Sequence, residues 1–253
     1  MRPRPSLTHY PYQIKHTNNP QVSPYSWFGF TNILKFRPLL NAHGIEVDIL
    51  PFFLGGARDA AGNPFAPTPQ WKQAFSAQDS DLTGRLLGLK VVAPEVFPIS
   101  SLFVSPECPK HVPLMIRSDI STKQPVRIAT FIKFNYPAKK FEATFEALAS
   151  GYWGKGINVS TPEGIHKALD VVFSTQEVDE IMKKALTPEN KKRVIEITQG
   201  SGAFGAPWIV GVNGSGEKGS WFGNDRWDQV FWHLDVPYEG VRILPPGQGQ
   251  AKL

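Results

Sequence analysis

Ser23-Pro24-Tyr25-Ser26 is the stretch of this 253-residue chain whose residue types and spacing can do chemistry. Two hydroxyls bracket Pro-Tyr where an apolar-periodic segment begins, with Trp27, Phe30, Ile33 and Leu34 at helical spacing. A helix opening there leaves its first N–H groups unpaired and carries a partial positive charge, so backbone and serine can hold an anion jointly. The plainer assignment is a capping serine ahead of a proline in the first turn. Two more places offer polar groups at the start of an element. In Gly205-Ala206-Pro207, a cis bond at Pro207 would present the Ala206 backbone to a ligand peptide, and the plainer reading is a strand-entry proline. In Gly223-Asn224-Asp225-Arg226, Asp225 and Arg226 can bind an amine and a carboxylate, or serve as a capping Asp and a surface Arg.

Other chemistry is excluded by what surrounds it. The single cysteine, Cys108, rules out an intrachain disulfide and any C-x-x-C motif, and nothing near it marks a low-pKa thiol. The six histidines are scattered, without a pair at metal-ligand spacing, so no metal is expected. Gly200-Ser201-Gly202-Ala203-Phe204-Gly205 satisfies G-x-G-x-x-G, with Asp225 about twenty residues on as a dinucleotide fingerprint asks. Its context is inverted, because a helical pattern precedes it and a strand pattern follows.

The elements that must position these residues fall into three blocks. Tyr12 to His16 reads as a short strand that Thr17-Asn18-Asn19-Pro20 breaks. The helix from Ser26 is expected to kink or stop at Pro38, and Gly44 ends the segment. Ile45, Val47 and Ile49 alternate with acids as a half-buried strand ending near Pro51. From Ala57 to Gly200 the character is helical. Pro69 opens a helix carrying Trp71, Phe75 and Leu82, and Ile128, Phe131 and Ile132 mark another, which Phe141, Phe145 and Leu148 continue beyond Pro137. Thr161-Pro162 starts the next helix. Val178, Ile181 and Met182 mark a further one, and Val194 with Ile197 the last of the block. These apolar stripes are expected to form a core. Val104 to Gln124, with three prolines and no sustained period, reads as a long loop or insertion. Trp208 to Val212 is a buried strand, Ser220-Trp221-Phe222 its partner, and Asn224-Asp225 caps a final helix with Trp227, Val230, Phe231 and Leu234. A βαβ half and a ββα half, separated by a helical insertion, make one interrupted α/β domain.

Composition agrees with a folded chain: 41% hydrophobic and 12% aromatic residues are ample for a core. No run reaches bilayer-spanning length. The net charge of +5 is dispersed, which fits a small anionic ligand or an ordinary basic surface better than a nucleic acid. Ala251-Lys252-Leu253 is a conservative variant of the Ser-Lys-Leu peroxisomal address, placed after a Pro/Gly-rich tail. Met1 to Asn19 has basic residues and no acid, a faint mitochondrial presequence character that its prolines oppose.

The octet Ser23 to Phe30, the run Pro51-Phe52-Phe53-Leu54-Gly55-Gly56, Ala203 to Pro207 and Phe222 to Arg226 together resemble the kappa-class glutathione transferases and the related 2-hydroxychromene-2-carboxylate isomerases. The motifs are ordered along the chain from Val22 to roughly Pro246. The resemblance implies a thioredoxin-like domain of the disulfide-oxidoreductase type, split over 10–56 and 200–245. It also implies an inserted helical domain over 57–199, leaving 246–253 as a tail. It implies a glutathione transferase that binds glutathione as thiolate and conjugates it to, or reduces with it, small electrophilic apolar substrates. Isomerase or peroxidase side activity, a homodimer and a detoxifying role go with that reading. Position by position, Ser23 looks like the catalytic serine that steadies the glutathione sulfur. Asn63 and Lys72 match glutathione contacts; Ala206, beside Pro207, offers its backbone to the cysteinyl part; Asn224 and Asp225 hold the γ-glutamyl end, and Arg226 completes that turn. Asp79 resembles a contact to the partner subunit's ligand, with Asp81 as a rival alignment. Asn224 stands where animal kappa enzymes have serine and looks more like the isomerase side. Transferase, glutathione-dependent isomerase and a non-catalytic glutathione- or peptide-binding protein therefore stay open. The kappa resemblance also favours import into the peroxisome through a receptor for Ala251, Lys252 and Leu253, with mitochondrion or cytosol as alternatives. The chain departs from the family before Ser23, where Asn18-Asn19-Pro20-Gln21 replaces an apolar strand, and in the long Val104 to Gln124 stretch.

Overall fold

The computed structural model of the chain describes residues 13–18, 23–63, 69–92 and 123–240. Met1 to Tyr12, Cys108 with the 104–122 part of the proline-rich stretch, and the Ala251-Lys252-Leu253 terminus lie outside the described residues.

Four strands form one sheet: β1 (Gln13–Asn18), β2 (Glu46–Pro51), β3 (Trp208–Val212) and β4 (Lys218–Phe222), in the order β2-β1-β3-β4. β1 runs parallel to β2, from Gln13 opposite Glu46 to Asn18 opposite Pro51, and antiparallel to β3, with Thr17 opposite Trp208. β3 and β4 are antiparallel, with Trp208 opposite Phe222. A parallel pair needs a crossover, and α1 (Pro24–Ala42) supplies it between β1 and β2. The β3–β4 turn is closed by Asn213, whose Oδ1 accepts from the Ser215 and Glu217 amides at 3.1 and 2.9 Å. This is the thioredoxin-like βαβ plus ββα arrangement that the motifs imply.

The first strand differs from expectation. Gln-Ile-Lys-His-Thr-Asn has little strand character, yet it extends through Thr17 and Asn18 and occupies a central place with ladders on both sides. Those ladders use backbone N–H and C=O groups, which every residue here carries, so tertiary pairing overrides weak side-chain propensity.

Helices follow in sequence: α2 (Leu54–Ala60), α3 (Gln70–Leu87), α4 (Lys123–Asn135), α5 (Ala138–Lys155), α6 (Pro162–Leu169), α7 (Thr175–Ala185), α8 (Pro188–Gly200) and α9 (Trp227–His233). Pro38 does not stop α1, which runs to Ala42 and buries Leu40 beyond the proline before Gly44, at φ 75°, ends the segment. The apolar pattern across Pro137 belongs to two helices, because Pro137 is the N-cap residue of α5 rather than an interior position. Thr161 caps α6 by accepting from the Gly164 amide at 3.1 Å. Ser174 and Glu177 form a reciprocal capping box on α7. The expected division between residues 56 and 57 falls inside α2.

One apolar cluster joins sheet and helices. Phe28, Phe30 and Ile33 of α1 meet Ile49, Ile209, Phe145, Tyr152 and Ile181, all buried, with Phe30 and Phe145 stacked at 4.3 Å between centroids. A side chain of this kind contributes about 1.5–3 kcal/mol on burial, so α1 is fixed rigidly and its first turn is held in place from below. A second cluster, Phe52, Leu54, Ala57, Ala203, Ala206 and Trp208, packs α2 to the start of β3. α3 breaks the expectation of a core stripe: only Ser80 and Gly84 are buried, and Trp71, Phe75 and Leu82 are exposed.

Candidate functional site

Ser23 precedes a proline, which disfavours helical geometry and holds it extended at φ −143°, ψ 126°. It occupies the N-cap position of α1, yet its side chain makes no capping hydrogen bond, so the plainer assignment of a capping serine is not realised. Only its carbonyl is used by the turn, accepting from the Ser26 amide at 3.1 Å. The residue is half-buried. Pro24 stands at the first helical position and the first turn contains no acid, so nothing there offsets the positive end of a 19-residue helix.

The next residues brace this turn. The Tyr25 hydroxyl donates to Asp79 Oδ2 at 2.6 Å, linking α1 to α3. Burial, then the Asp79 hydrogen bond and its charge, push the Tyr25 phenol far above its ordinary range, so it stays a proton donor. Ser26 is fully buried, and its Oγ has no hydrogen-bond partner among the described residues. Trp27 Nε1 donates to both carboxylate oxygens of Glu146 on α5, at 3.1 and 3.0 Å. Burial raises the Glu146 carboxyl above its usual range, and the indole bond partly counters it.

Several of the other residues gather around the N-terminal end of β3. Thr17 lies opposite Trp208, so the C-terminal end of β1, which leads to Ser23, adjoins the N-terminal end of β3, where Ala206-Pro207 is a cis peptide. The Pro207 carbonyl accepts from the Gly223 amide at 3.0 Å, bringing the 223–226 turn alongside. Asn32 of α1 reaches the Asn224 carbonyl at 3.4 Å. Asn63 Nδ2 donates to the Phe204 carbonyl at 3.3 Å, and Arg58 holds Asn63 from behind through the Asn63 carbonyl at 2.9 Å and side-chain oxygen at 3.3 Å. Asn63, Ala206-Pro207 and the 223–226 turn are thus tied together around the N-terminal end of β3, and Asn32 ties that turn to the middle of α1.

Asp79 and Lys72 lie two turns apart on one side of α3. Asp79 faces Tyr25, whereas Asp81 is exposed and pairs with Arg85 at 3.2 Å, one turn on along the same helix. Asn224 and Asp225 do not cap α9. The helix opens at Trp227 with Arg226 in the cap position and no side-chain cap bond, after a turn at Gly223 with φ 100°. Asp225 and Arg226 are exposed, their charged groups 4.0 Å apart. Sequence reasoning gave no role to Tyr25, Arg58 or Asn32. Tyr25 lies within the Ser23-Pro24-Tyr25-Ser26 turn, but its partner is 54 residues away; Asn32 carries no local signal at all. Among the described residues, no group of three or more His, Cys, Asp or Glu is placed to hold a metal, and no helix is long and apolar enough to cross a membrane.

Comparison with known proteins gives this geometry a setting. The sequence model of the DsbA-like thioredoxin domain family matches residues 21–235. Glutathione S-transferase kappa 2 of Caenorhabditis elegans is 25% identical over 228 residues, covering 87% of this chain and 90% of the relative. Glutathione S-transferase kappa 1 of Homo sapiens is 23% identical over 229 residues, covering 89% and 91%. Among solved structures, a 2-hydroxychromene-2-carboxylate isomerase superposes with a TM-score of 0.59 at 15% identity, covering 88% of this chain and 94% of its own. The resemblance read from the motifs is borne out at the level of family and fold.

Proposed function

Because this chain belongs to the DsbA-like thioredoxin domain family, we propose that its Ser23 turn binds glutathione as a thiolate and transfers it to small, electrophilic, mostly apolar substrates, in the manner of a kappa-class glutathione transferase. The observation that carries this reading is the Ser23 hydroxyl, held at a helix N-terminus and not consumed by capping. A serine replaces the thiol of a redox turn at both Ser23 and Ser26, so the sulfur has to come from the substrate.

The magnitudes are sufficient. A free thiol has a pKa near about 8.5, and lowering it by about two units takes roughly 2.7 kcal/mol in favour of the anion. A hydroxyl bonded to a charged acceptor supplies about 1.5–3 kcal/mol, and the helix end about 0.3–1 kcal/mol. No general base is needed. Ser23 Oγ donates to the sulfur, keeps its own proton, and orients the lone pair that attacks the electrophile. The Ala206 backbone beside Pro207 takes the cysteinyl peptide, Asn224, Asp225 and Arg226 the γ-glutamyl end, and Asn63 and Lys72 the remaining polar groups. Asp79, braced by Tyr25, is the better placed of the two aspartates for a ligand contact.

Asn224 favours a second reading, a glutathione-dependent isomerase in which the same thiolate adds to a chromene carboxylate and is expelled again. The third reading, a non-catalytic glutathione- or peptide-binding protein, differs from both in binding without turnover. Calorimetry with glutathione, followed by turnover on an electrophile panel, tests the proposal: micromolar to millimolar binding with consumption of glutathione supports the transferase, and turnover without consumption the isomerase. Binding without turnover on any electrophile, or no binding, contradicts the proposal. Ala251-Lys252-Leu253 supports a peroxisomal address, which import of a fluorescent fusion ending in these residues, lost on deleting Leu253, would check.

A further inference from the structure

Phe204 and Phe222 are left 42 and 48% exposed, one on each of the two loops that meet at the start of β3. Phe204 stands two residues before the Ala206-Pro207 cis bond, and Phe222 ends β4 directly before Gly223. The two rings touch, with centroids 5.2 Å apart and planes tilted by 50°. Phe204 also meets the buried Trp208 in an edge arrangement, at 4.9 Å and 71°. Gly205 makes the pair possible, because a Cβ there would run into the Phe222 ring. Both rings sit on braced backbone: Asn63 donates to the Phe204 carbonyl at 3.3 Å, and the Gly223 amide to the Pro207 carbonyl at 3.0 Å.

Single exposed apolar side chains are ordinary, but two touching rings form a patch. Its size points to a small occupant. An aromatic side chain has about 150–250 Å² to bury, so two half-exposed rings offer about that much together. A specific protein interface needs about 1,000 Å². The shape of the patch points to a flat occupant. Aromatic rings favour offset or edge-to-face contacts at about 4.5–7 Å between centroids, and planes tilted by 50° offer a third ring both at once. An alkyl chain gains area there and no preferred geometry. Position supplies the last constraint. Consecutive Cα atoms lie about 3.8 Å apart, so the Phe204 Cα is within about 7.6 Å of that of Ala206. A ring seated on the pair, with its reactive carbon on a short conjugated arm, comes within reach of a sulfur held at the Ala206 backbone.

We propose that Phe204 and Phe222 form the subsite for the second substrate and select electrophiles whose reacting carbon is conjugated to a flat aromatic ring. This rests on the reading of Ala206 as the contact for the cysteinyl part of glutathione. The ring pair binds and orients, and it takes no part in bond making. With an aryl enone, the thiolate lone pair forms the sulfur–carbon bond at the β-carbon. The π pair of the double bond moves to the α-carbon, which takes a proton from water.

Benzylacetone, a saturated aryl ketone that cannot react, probes the subsite without glutathione. Ligand-observed NMR titration of the full chain should show it binding at least about three-fold more tightly than octanone, an alkyl ketone of similar apolar size. Phe204→Leu and Phe222→Leu, which stay apolar but lose the plane, should each abolish that preference. Irradiating wild type with the azidophenyl analogue of benzylacetone should label the peptides that carry Phe204 or Phe222. In turnover with glutathione, the kcat/KM ratio of benzalacetone, the aryl enone, to pentenone should fall at least about three-fold in each variant. General damage to the site would lower both rates and leave the ratio alone. Equal binding of the two ketones, label confined to other peptides, or ratios unchanged in both variants would overturn the proposal. Should the leucine variants fail to fold, the labelling of wild type decides. The binding and labelling arms use no glutathione, so the subsite can fail while the thiolate reading stands, and the reverse.

Discussion

The phenol of Tyr25 donates to the carboxylate of Asp79 across 2.6 Å, tying the first turn of α1 to the middle of α3. Because burial and Asp79 hold that phenol protonated, it remains a donor to Asp79 into alkaline solution. Hydrogen bonds to charged groups contribute about 1.5–3 kcal/mol, less where water screens them. Tyr25→Phe is therefore expected to destabilise the fold by about 1–2 kcal/mol. Denaturant unfolding of Tyr25→Phe, Asp79→Asn and the double variant gives the coupling energy. A coupling near zero would show that the two groups are merely neighbours.

Ser26 leads to the opposite expectation. Its hydroxyl is fully buried with no partner among the described residues, a condition that costs about 1–3 kcal/mol relative to an apolar group. Ser26→Ala is expected to leave stability unchanged or raise it by up to about 1 kcal/mol. If stability rises and glutathione turnover falls, the hydroxyl serves the bound sulfur at the expense of the fold. A clear loss of stability would mean that Ser26 has a structural partner.

Glu146 makes stability depend on pH. Burial raises its carboxyl in the folded state, so the folded chain holds that proton more tightly than the unfolded chain. Its contribution is complete below the unfolded value near about 4.3 and is lost as pH rises through the raised folded value. Glu146→Gln keeps an acceptor for Trp27 and cannot ionise, so its urea midpoint should decline less than wild type between about pH 4 and pH 7. Parallel profiles for the two proteins would contradict this.

Gly223 joins the cis-proline loop to the Asn224-Asp225 turn by donating to the Pro207 carbonyl at 3.0 Å. At φ 100° it tolerates no side chain without strain, and an added Cβ would meet Asp225 Oδ1 at 2.6 Å. Gly223→Ala should cost about 1–2 kcal/mol of stability. It should also weaken glutathione binding in calorimetry while leaving the bound thiol's titration in place, since Ser23 lies on another element. An unaltered affinity would remove Asn224 and Asp225 from the site.

What the sequence made legible were features that local pattern dictates. Trp208 to Val212 is a run of large apolar residues bounded by turns, and the Thr161 cap is written in three residues. The central β1 was obscured because its stability comes from neighbours on both sides, which Gln-Ile-Lys-His-Thr-Asn does not announce. The stripe of α3 is exposed rather than core, because periodicity reveals an apolar face without saying what covers it. At the site, Ser23 and Pro207 were found through turn chemistry. The Tyr25–Asp79 and Asn63–Phe204 pairings, 54 and 141 residues apart in the chain, depend on the folded topology. Asn224-Asp225 has the composition of a cap, but α9 starts at Trp227 with Arg226 in the cap position, a shift of one residue that composition does not reveal.

The central claim is that Ser23 at the head of α1 stabilises a bound thiolate, and the titration of glutathione on the enzyme tests it most directly. Followed by the ultraviolet absorbance of the thiolate, wild type should ionise the bound thiol about two units below its free value near about 8.5. Ser23→Ala should return it upward by at least about one unit, the loss of one hydrogen bond to a charged acceptor, with the fold intact by circular dichroism. A bound thiol that titrates at the same pH in both proteins would contradict the account.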